Sequence, residues 1–212
     1  MVDVAGHLGM ALIWLAPGWL FIDSGKTAGT FVGIGFWFGT LPDIDLYLQK
    51  VFRTVKHHGI VHTVLAVSLI ALVLGPLVGW LLKRTIGGSE WFVPEVERRA
   101  TSFGFLMVWI AGLSHIFADI LSAPDIAEAI EPVWPLYQQS VGIDIVWYNN
   151  PWFNWGLLLI GTGLNAALYY RNSTSTARLS PEPPIVRLRS QPTSGPKTRA
   201  MSETASTVWT IP

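Results

Sequence analysis

All five histidines of this chain lie inside apolar segments or at their ends, with aspartates beside them. Ionisable groups are costly in a membrane core and are rare there unless they pair, bind something or line a wet cavity. The chain has no cysteine, so nitrogen and oxygen ligands would have to hold any metal. These observations predict a metal site in a membrane protein. The residues concerned are His7, Asp43, Asp45, His57, His58, His62, His115 and Asp119.

Two of the motifs are ambiguous when each is taken alone. The four-residue spacing of His115 and Asp119 in LSHIFAD places both on one helical face, which suits two metal ligands or a hydrogen-bonded pair that joins two helices. Asp43 and Asp45 in LPDID could end or cap a helix. Their carboxylates also suit Mg, Mn or Zn, and a pair of them can bridge two ions.

The segment HHGIVHT is the densest of the motifs. His57, His58 and His62 fall within six residues beside an apolar run, and Gly59 is expected at the turn into the helix. An interfacial polar cap is the alternative interpretation, but this concentration of imidazoles favours metal binding. His7 is the weakest element, because a single histidine near a terminus is usually incidental.

The composition is that of a polytopic membrane protein. The chain is 50% hydrophobic and only 13% charged, with 11 Trp and 20 Gly, whereas soluble domains average about 25% charged residues. Tryptophan collects at membrane interfaces and glycine at helix contacts. The net charge is zero, so no bulk attraction to nucleic acid is expected. The N-terminus lacks the basic region of a typical signal peptide.

Hydropathy predicts an all-α membrane bundle of about five transmembrane helices. Pro42 is expected to break or end the second one, because proline removes a backbone donor. Residues 1–170 would form the membrane domain. Residues 171–212 are rich in Ser, Thr, Pro and Arg and are predicted to be a disordered tail. The five spans cover about residues 6–22, 29–48, 60–82, 102–121 and 152–170.

The distribution of basic residues predicts an orientation. The loop after the third span and the tail carry Lys and Arg, whereas residues 122–151 contain neither. By the positive-inside rule, the first two are cytoplasmic and the third is external. The N-terminus would then be external. Lys50, Arg53 and Lys56 would also be external, against the rule.

Alternating helices would bring the polar motifs to one face of the membrane. His7 begins the first span, the LPDID aspartates end the second, the HHGIVHT histidines begin the third, and His115 and Asp119 end the fourth. Residues far apart in the sequence are therefore expected to converge in depth, on the external face.

The ordered set of motifs resembles the YdjM-type inner-membrane, metal-dependent hydrolases. The matching strings are GHLG, LPDID, HHGIVHT, GLSHIFADILSAP and VWPL, which span residues 6–136 in the family's order. The chain departs from the family at His58, where arginine is usual, and at Val61, where threonine is usual. Matched residue by residue, the resemblance implies metal ligands at His7, Asp43, Asp45, His57, His62, His115 and Asp119.

The resemblance implies a membrane-embedded hydrolase that uses one or two divalent ions, with Zn first and Mn or Mg as alternatives. Two ions bridged by a carboxylate would use the implied ligands more fully than one ion would. Asp45 or Asp119 could act as general base. The expected substrate is a phosphoester or lipid-linked molecule at the membrane surface, and membrane lipid is the expected partner. A structural metal site is the next alternative, and a cation or proton transporter is the third.

Overall fold

The computed structural model describes residues 2–123, 128–147 and 149–179. Within them the chain is mostly helical, as predicted, with one small parallel sheet in which Ser122 pairs with Val146. The helices are α1 Val4–Leu15, α2 Gly18–Phe21, α3 Gly25–Gly35, α4 Asp45–Val51, α5 Val64–Ile86, α6 Pro94–Glu97, α7 Ala100–Leu121 and α8 Pro151–Leu179. The 3-10 segments are Phe36–Thr40, Pro42–Ile44 and Ile60–His62, and the strands are β1 Ser122–Ala123 and β2 Val146–Trp147.

Three stretches within the described residues are long and apolar enough to cross a membrane: Val4–Phe21, Val64–Ile86 and Ala100–Leu121. They correspond to the first, third and fourth predicted spans. The predicted fifth span lies within α8. That helix also includes residues 171–179, where the composition predicts a disordered tail. The rest of the predicted tail, residues 180–212, lies outside the described residues, as do residues 124–127 and 148 of the predicted external loop.

The second predicted span, residues 29–48, is not one helix. The α-helical run ends at Gly35, before Pro42, and continues in 3-10 turns. Close packing accompanies this change, because a Cβ on Gly39 would lie 2.6 Å from the Ala11 Cβ of α1. The helical run does break at Pro42, as predicted, but its α-helical part ends earlier, at Gly35. Pro42 starts the second 3-10 segment, which carries Asp43.

The central helix of the bundle is α7, which runs antiparallel to both α1 and α5. Near one end of α7, Ala100 lies against Gly79 of α5, and near the other end Asp119 lies against His7 of α1. In α5 and α7 the backbones touch: a Cβ on Gly104 would overlap the carbonyl oxygen of Gly75. Small residues at such contacts let membrane helices approach closely.

In contrast, α8 runs parallel to α1. The Asp3 backbone N–H donates to Asn154 Oδ1 at 3.4 Å, and Asn165 Nδ2 donates to the Leu12 carbonyl at 3.0 Å. The beginnings of α1, α5 and α8 and the end of α7 therefore lie at one end of the bundle. That end holds the predicted metal ligands.

The contact between α5 and α7 can be tested by a matched pair of glycine substitutions. We expect Gly104→Ala to lower the free energy of unfolding by about 1–3 kcal/mol, because overpacking displaces neighbouring backbone. Gly33→Ala is the control, since this helical glycine has open space around it. It should raise the stability by about 0.5–1 kcal/mol through helix propensity. Equal changes in the unfolding midpoints of the two variants in detergent would contradict the close approach.

Candidate metal centre

The structure brings all seven predicted ligands into one cluster. They come from five separate parts of the chain: the first turn of α1, the 3-10 segment with Asp43, the start of α4, the segment before α5 and the last turns of α7. Six of the seven are buried, and His57 is partly exposed. The buried ones are His7, Asp43, Asp45, His62, His115 and Asp119.

Four side-chain atoms meet at the centre of the cluster. His62 Nε2 lies 3.1 Å from His115 Nε2, 3.6 Å from Asp43 Oδ1 and 3.7 Å from Asp119 Oδ2. His115 Nε2 lies 3.5 Å from the same Asp43 oxygen and 3.2 Å from the same Asp119 oxygen. Zinc holds such ligands at about 2.0–2.2 Å, which sets them roughly 3.3–3.6 Å apart in a tetrahedron. The spacing of the four atoms therefore fits the first shell of one ion.

The two imidazoles are oriented by groups on their opposite sides. His115 Nδ1 donates to the carbonyl oxygen of Gly39 at 2.7 Å. A carbonyl only accepts, so in the neutral ring the lone pair is on Nε2. His62 Nδ1 lies 3.0 Å from Asp45 Oδ2. Metal-binding histidines commonly turn their second nitrogen to a carbonyl or carboxylate in this way.

Asp45 contacts two histidines. Its Oδ1 lies 2.8 Å from His57 Nδ1, while its Oδ2 faces His62. With Asp43, these residues form a group that could hold an ion. The contacts also suit a carboxylate that orients imidazoles from behind, which is a role that spacing in the sequence could not distinguish from direct ligation.

The site concentrates negative charge next to His62. Burial lowers the pKa of His62, but the neighbouring carboxylates of Asp43 and Asp45 outweigh burial and raise it to about 9. Burial raises the pKa of Asp45, and the contacts with His57 and His62 lower it more, well below its usual range. Both aspartates are thus anionic at neutral pH, and the centre favours a cation or, in its place, a proton.

His7 extends the centre on the side of α1. Its Nε2 lies 3.4 Å from Asp119 Oδ1, the carboxylate oxygen that also accepts from the Val2 backbone N–H at 3.2 Å. Its ring stacks on His115 with the ring centres 3.6 Å apart. Neither nitrogen of His7 has a hydrogen-bond partner among the described residues. A buried imidazole in this state is compatible with an additional ligand.

His58 belongs to the cluster, although sequence comparison left it out of the ligand set. Its side chain is only 4% exposed, and its Nε2 lies 3.9 Å from Asp119 Oδ2. The histidine-rich motif HHGIVHT already pointed to His58 as a ligand. The family resemblance excluded it, because the family usually carries arginine at this position. Backbone groups of Gly39, Glu128 and Val2 also contact the cluster, and no sequence pattern predicts these contacts.

A pocket of about 240 Å³ opens beside the cluster. His57 and His58 form part of its wall, together with Lys56 and Trp134. The pocket also borders Glu128 and Glu131. It lies at the end of the bundle at which α5 begins.

Comparison with known proteins identifies a family. Residues 1–181 match the model of the YdjM inner membrane protein family, a range that includes every residue of the cluster. No curated protein and no solved structure matches the chain significantly. The apolar helices agree with this family's location in a membrane. The chain belongs to the YdjM inner membrane protein family.

Proposed function

We propose that this protein is a membrane-embedded, metal-dependent hydrolase that acts on a phosphoester or lipid-linked substrate at the membrane surface. The observation that carries its metal dependence is the convergence of His62 Nε2, His115 Nε2, Asp43 Oδ1 and Asp119 Oδ2 at the spacing of metal ligands. The pocket beside this centre carries the assignment of a hydrolase. In an apolar bundle, four such acceptors stay together only with a cation or protons between them.

The donor set favours zinc. Two imidazole nitrogens and two carboxylate oxygens suit a borderline ion, whereas Mg prefers oxygen ligands and Mn is intermediate. When bound, a divalent ion here would lower the pKa of water and stabilise charge on a phosphoryl or acyl oxygen. The chain's own part is to hold the four donors rigidly between α7 and the 3-10 segments.

The pocket beside the cluster supplies a place for the substrate. Lys56 lines it and could pair with a phosphate, and Trp134 offers an apolar wall of the kind found at membrane interfaces. It lies at the end of the spanning helices, so a lipid headgroup could enter it from the bilayer surface. We propose that this face is external and that the C-terminal tail is cytoplasmic, following the distribution of basic residues.

The two candidate carboxylates have different surroundings. Asp119 contributes Oδ2 to the four-atom centre and suits a ligand. Asp45 holds His57, which faces the pocket, through a contact of 2.8 Å. We propose that Asp45 holds the ring of His57 in its orientation at the pocket, as carboxylates commonly do for metal-binding histidines.

A structural metal site is the second candidate. Four protein donors already fill a tetrahedral shell, and catalytic zinc sites usually keep one position open. Under this alternative, the ion would join α7 to the segments before α4 and α5, and no hydrolysis would follow.

Removal of one central ligand should remove the metal. We expect Asp43→Asn to weaken zinc binding by more than about 100-fold, since the loss of an outer-shell group alone costs about 10–100-fold. Asp23→Asn, at an exposed site away from the cluster, is the control. Metal analysis of detergent-purified protein gives the readout. Unchanged zinc in Asp43→Asn would remove the basis for a metal centre.

The Asp45→Asn variant should show whether Asp45 orients the two histidines or binds an ion directly. If Asp45 orients His57 and His62, the variant should keep its ions at saturating zinc but bind them about 10–100-fold more weakly. Competition with a chelator measures the affinity. Loss of an ion even at saturation would make Asp45 a direct ligand.

Hydrolysis is the decisive test between the two functions. Zinc-loaded protein in detergent or vesicles should hydrolyse a phosphoester from a panel that includes lipid phosphates, and His115→Ala should abolish this activity. A wild-type protein that holds zinc and hydrolyses no member of the panel would support the structural site. Full activity in His115→Ala would contradict the assignment of that ligand.

A further inference from the structure

His58 lies on the pocket side of the metal centre and has an unused nitrogen. Its Nδ1 donates to the Glu128 carbonyl at 2.7 Å, which leaves the lone pair of the neutral ring on Nε2. That atom is buried and has no hydrogen-bond partner among the described residues. A ring nitrogen bound to a backbone carbonyl, with the other nitrogen free and turned inward, is the usual state of a metal-binding histidine.

The backbone holds this ring in place at some cost. His58 has a φ of 61°, in the left-handed region that non-glycine residues seldom adopt. Such strain is typical of functional positions. The conformation turns the side chain inward, where it is 4% exposed, although the neighbouring Lys56 is exposed.

Neighbouring donors are close enough to share an ion with His58. One ring nitrogen from each of His57, His58 and His62 lies within 4.8 Å of those of the other two. Asp119 Oδ2, which already belongs to the central four atoms, lies 3.9 Å from His58 Nε2. A carboxylate in this place could link two cations, as in two-metal sites.

We propose that His58, together with His57, forms a second divalent-cation position on the pocket side of the centre, with the Asp119 carboxylate as the link between the two positions. The inference rests on the metal centre of the proposed function and adds an ion and a ligand to it. Arginine, which the resembling family usually carries here, is always protonated and cannot take this role. The second position would therefore be particular to chains with histidine at this site.

The test is a count of bound ions in the full-length, detergent-purified protein saturated with zinc. The wild type should bind about two ions per chain, and both His58→Gln and His58→Arg should bind about one. Lys56→Gln is the matched control, because Lys56 lines the same pocket but offers no ligand to the cluster. It should keep the wild-type count. Helical content and a single elution peak establish that each variant is folded.

Two outcomes would overturn the inference: a wild type that binds only one ion, or folded His58 variants that keep the wild-type count. Manganese gives an independent readout. Two linked Mn²⁺ ions in the wild type should show magnetic coupling by electron paramagnetic resonance, and His58→Gln should show an isolated ion.

The ion count and the hydrolysis assay can fail separately. A wild type with one ion that Asp43→Asn removes would leave the proposed metal centre intact and exclude the second position. Two ions without hydrolysis of any substrate would keep the second position and exclude the hydrolase.

Discussion

The structure depends on one constraint: hydrogen-bond acceptors that repel one another are held together inside an apolar bundle. Two imidazole nitrogens lie 3.1 Å from each other, and each lies 3.2–3.7 Å from the same two carboxylate oxygens. Bulk water does not screen them, since the side chains of His62, His115, Asp43 and Asp119 are buried. Only positive charge between them makes the arrangement favourable. The fold around the centre can therefore be understood as the framework that forces these groups together.

That framework depends on close backbone contacts of α7. Glycines bring α5 against the first half of α7, and Gly39 fits against α1 where a side chain would clash. The position of Gly39 has a direct chemical result, because its carbonyl orients His115. The departure from α-helical geometry after Gly35 is thus part of the site: an unbroken second helix would engage this carbonyl in its own hydrogen bonds.

Sequence patterns predicted the elements that hydropathy governs. The spans of α5 and α7 and the convergence of His7, Asp43, His62 and His115 followed from apolar length and alternating direction. What they could not predict depends on tertiary contacts. The 3-10 path from Phe36 accompanies close packing of Gly39 against α1, and the inward-turned ring of His58 is held by a carbonyl seventy residues later in the chain. Residue type alone also could not separate Asp45 as a ligand from Asp45 as a group that orients His57 and His62.

The location of the centre bears on the choice between catalysis and structure. A site that only fastens helices gains nothing from a pocket at its edge, and it would be as useful at mid-depth as at one end of the bundle. Here the cluster lies where α1 and α5 begin and α7 ends, and His57 and His58 form part of the wall of an open pocket. The four-donor centre alone favours a closed structural ion. The proposed hydrolase is supported instead by the pocket that His57 and His58 line at the end of the bundle.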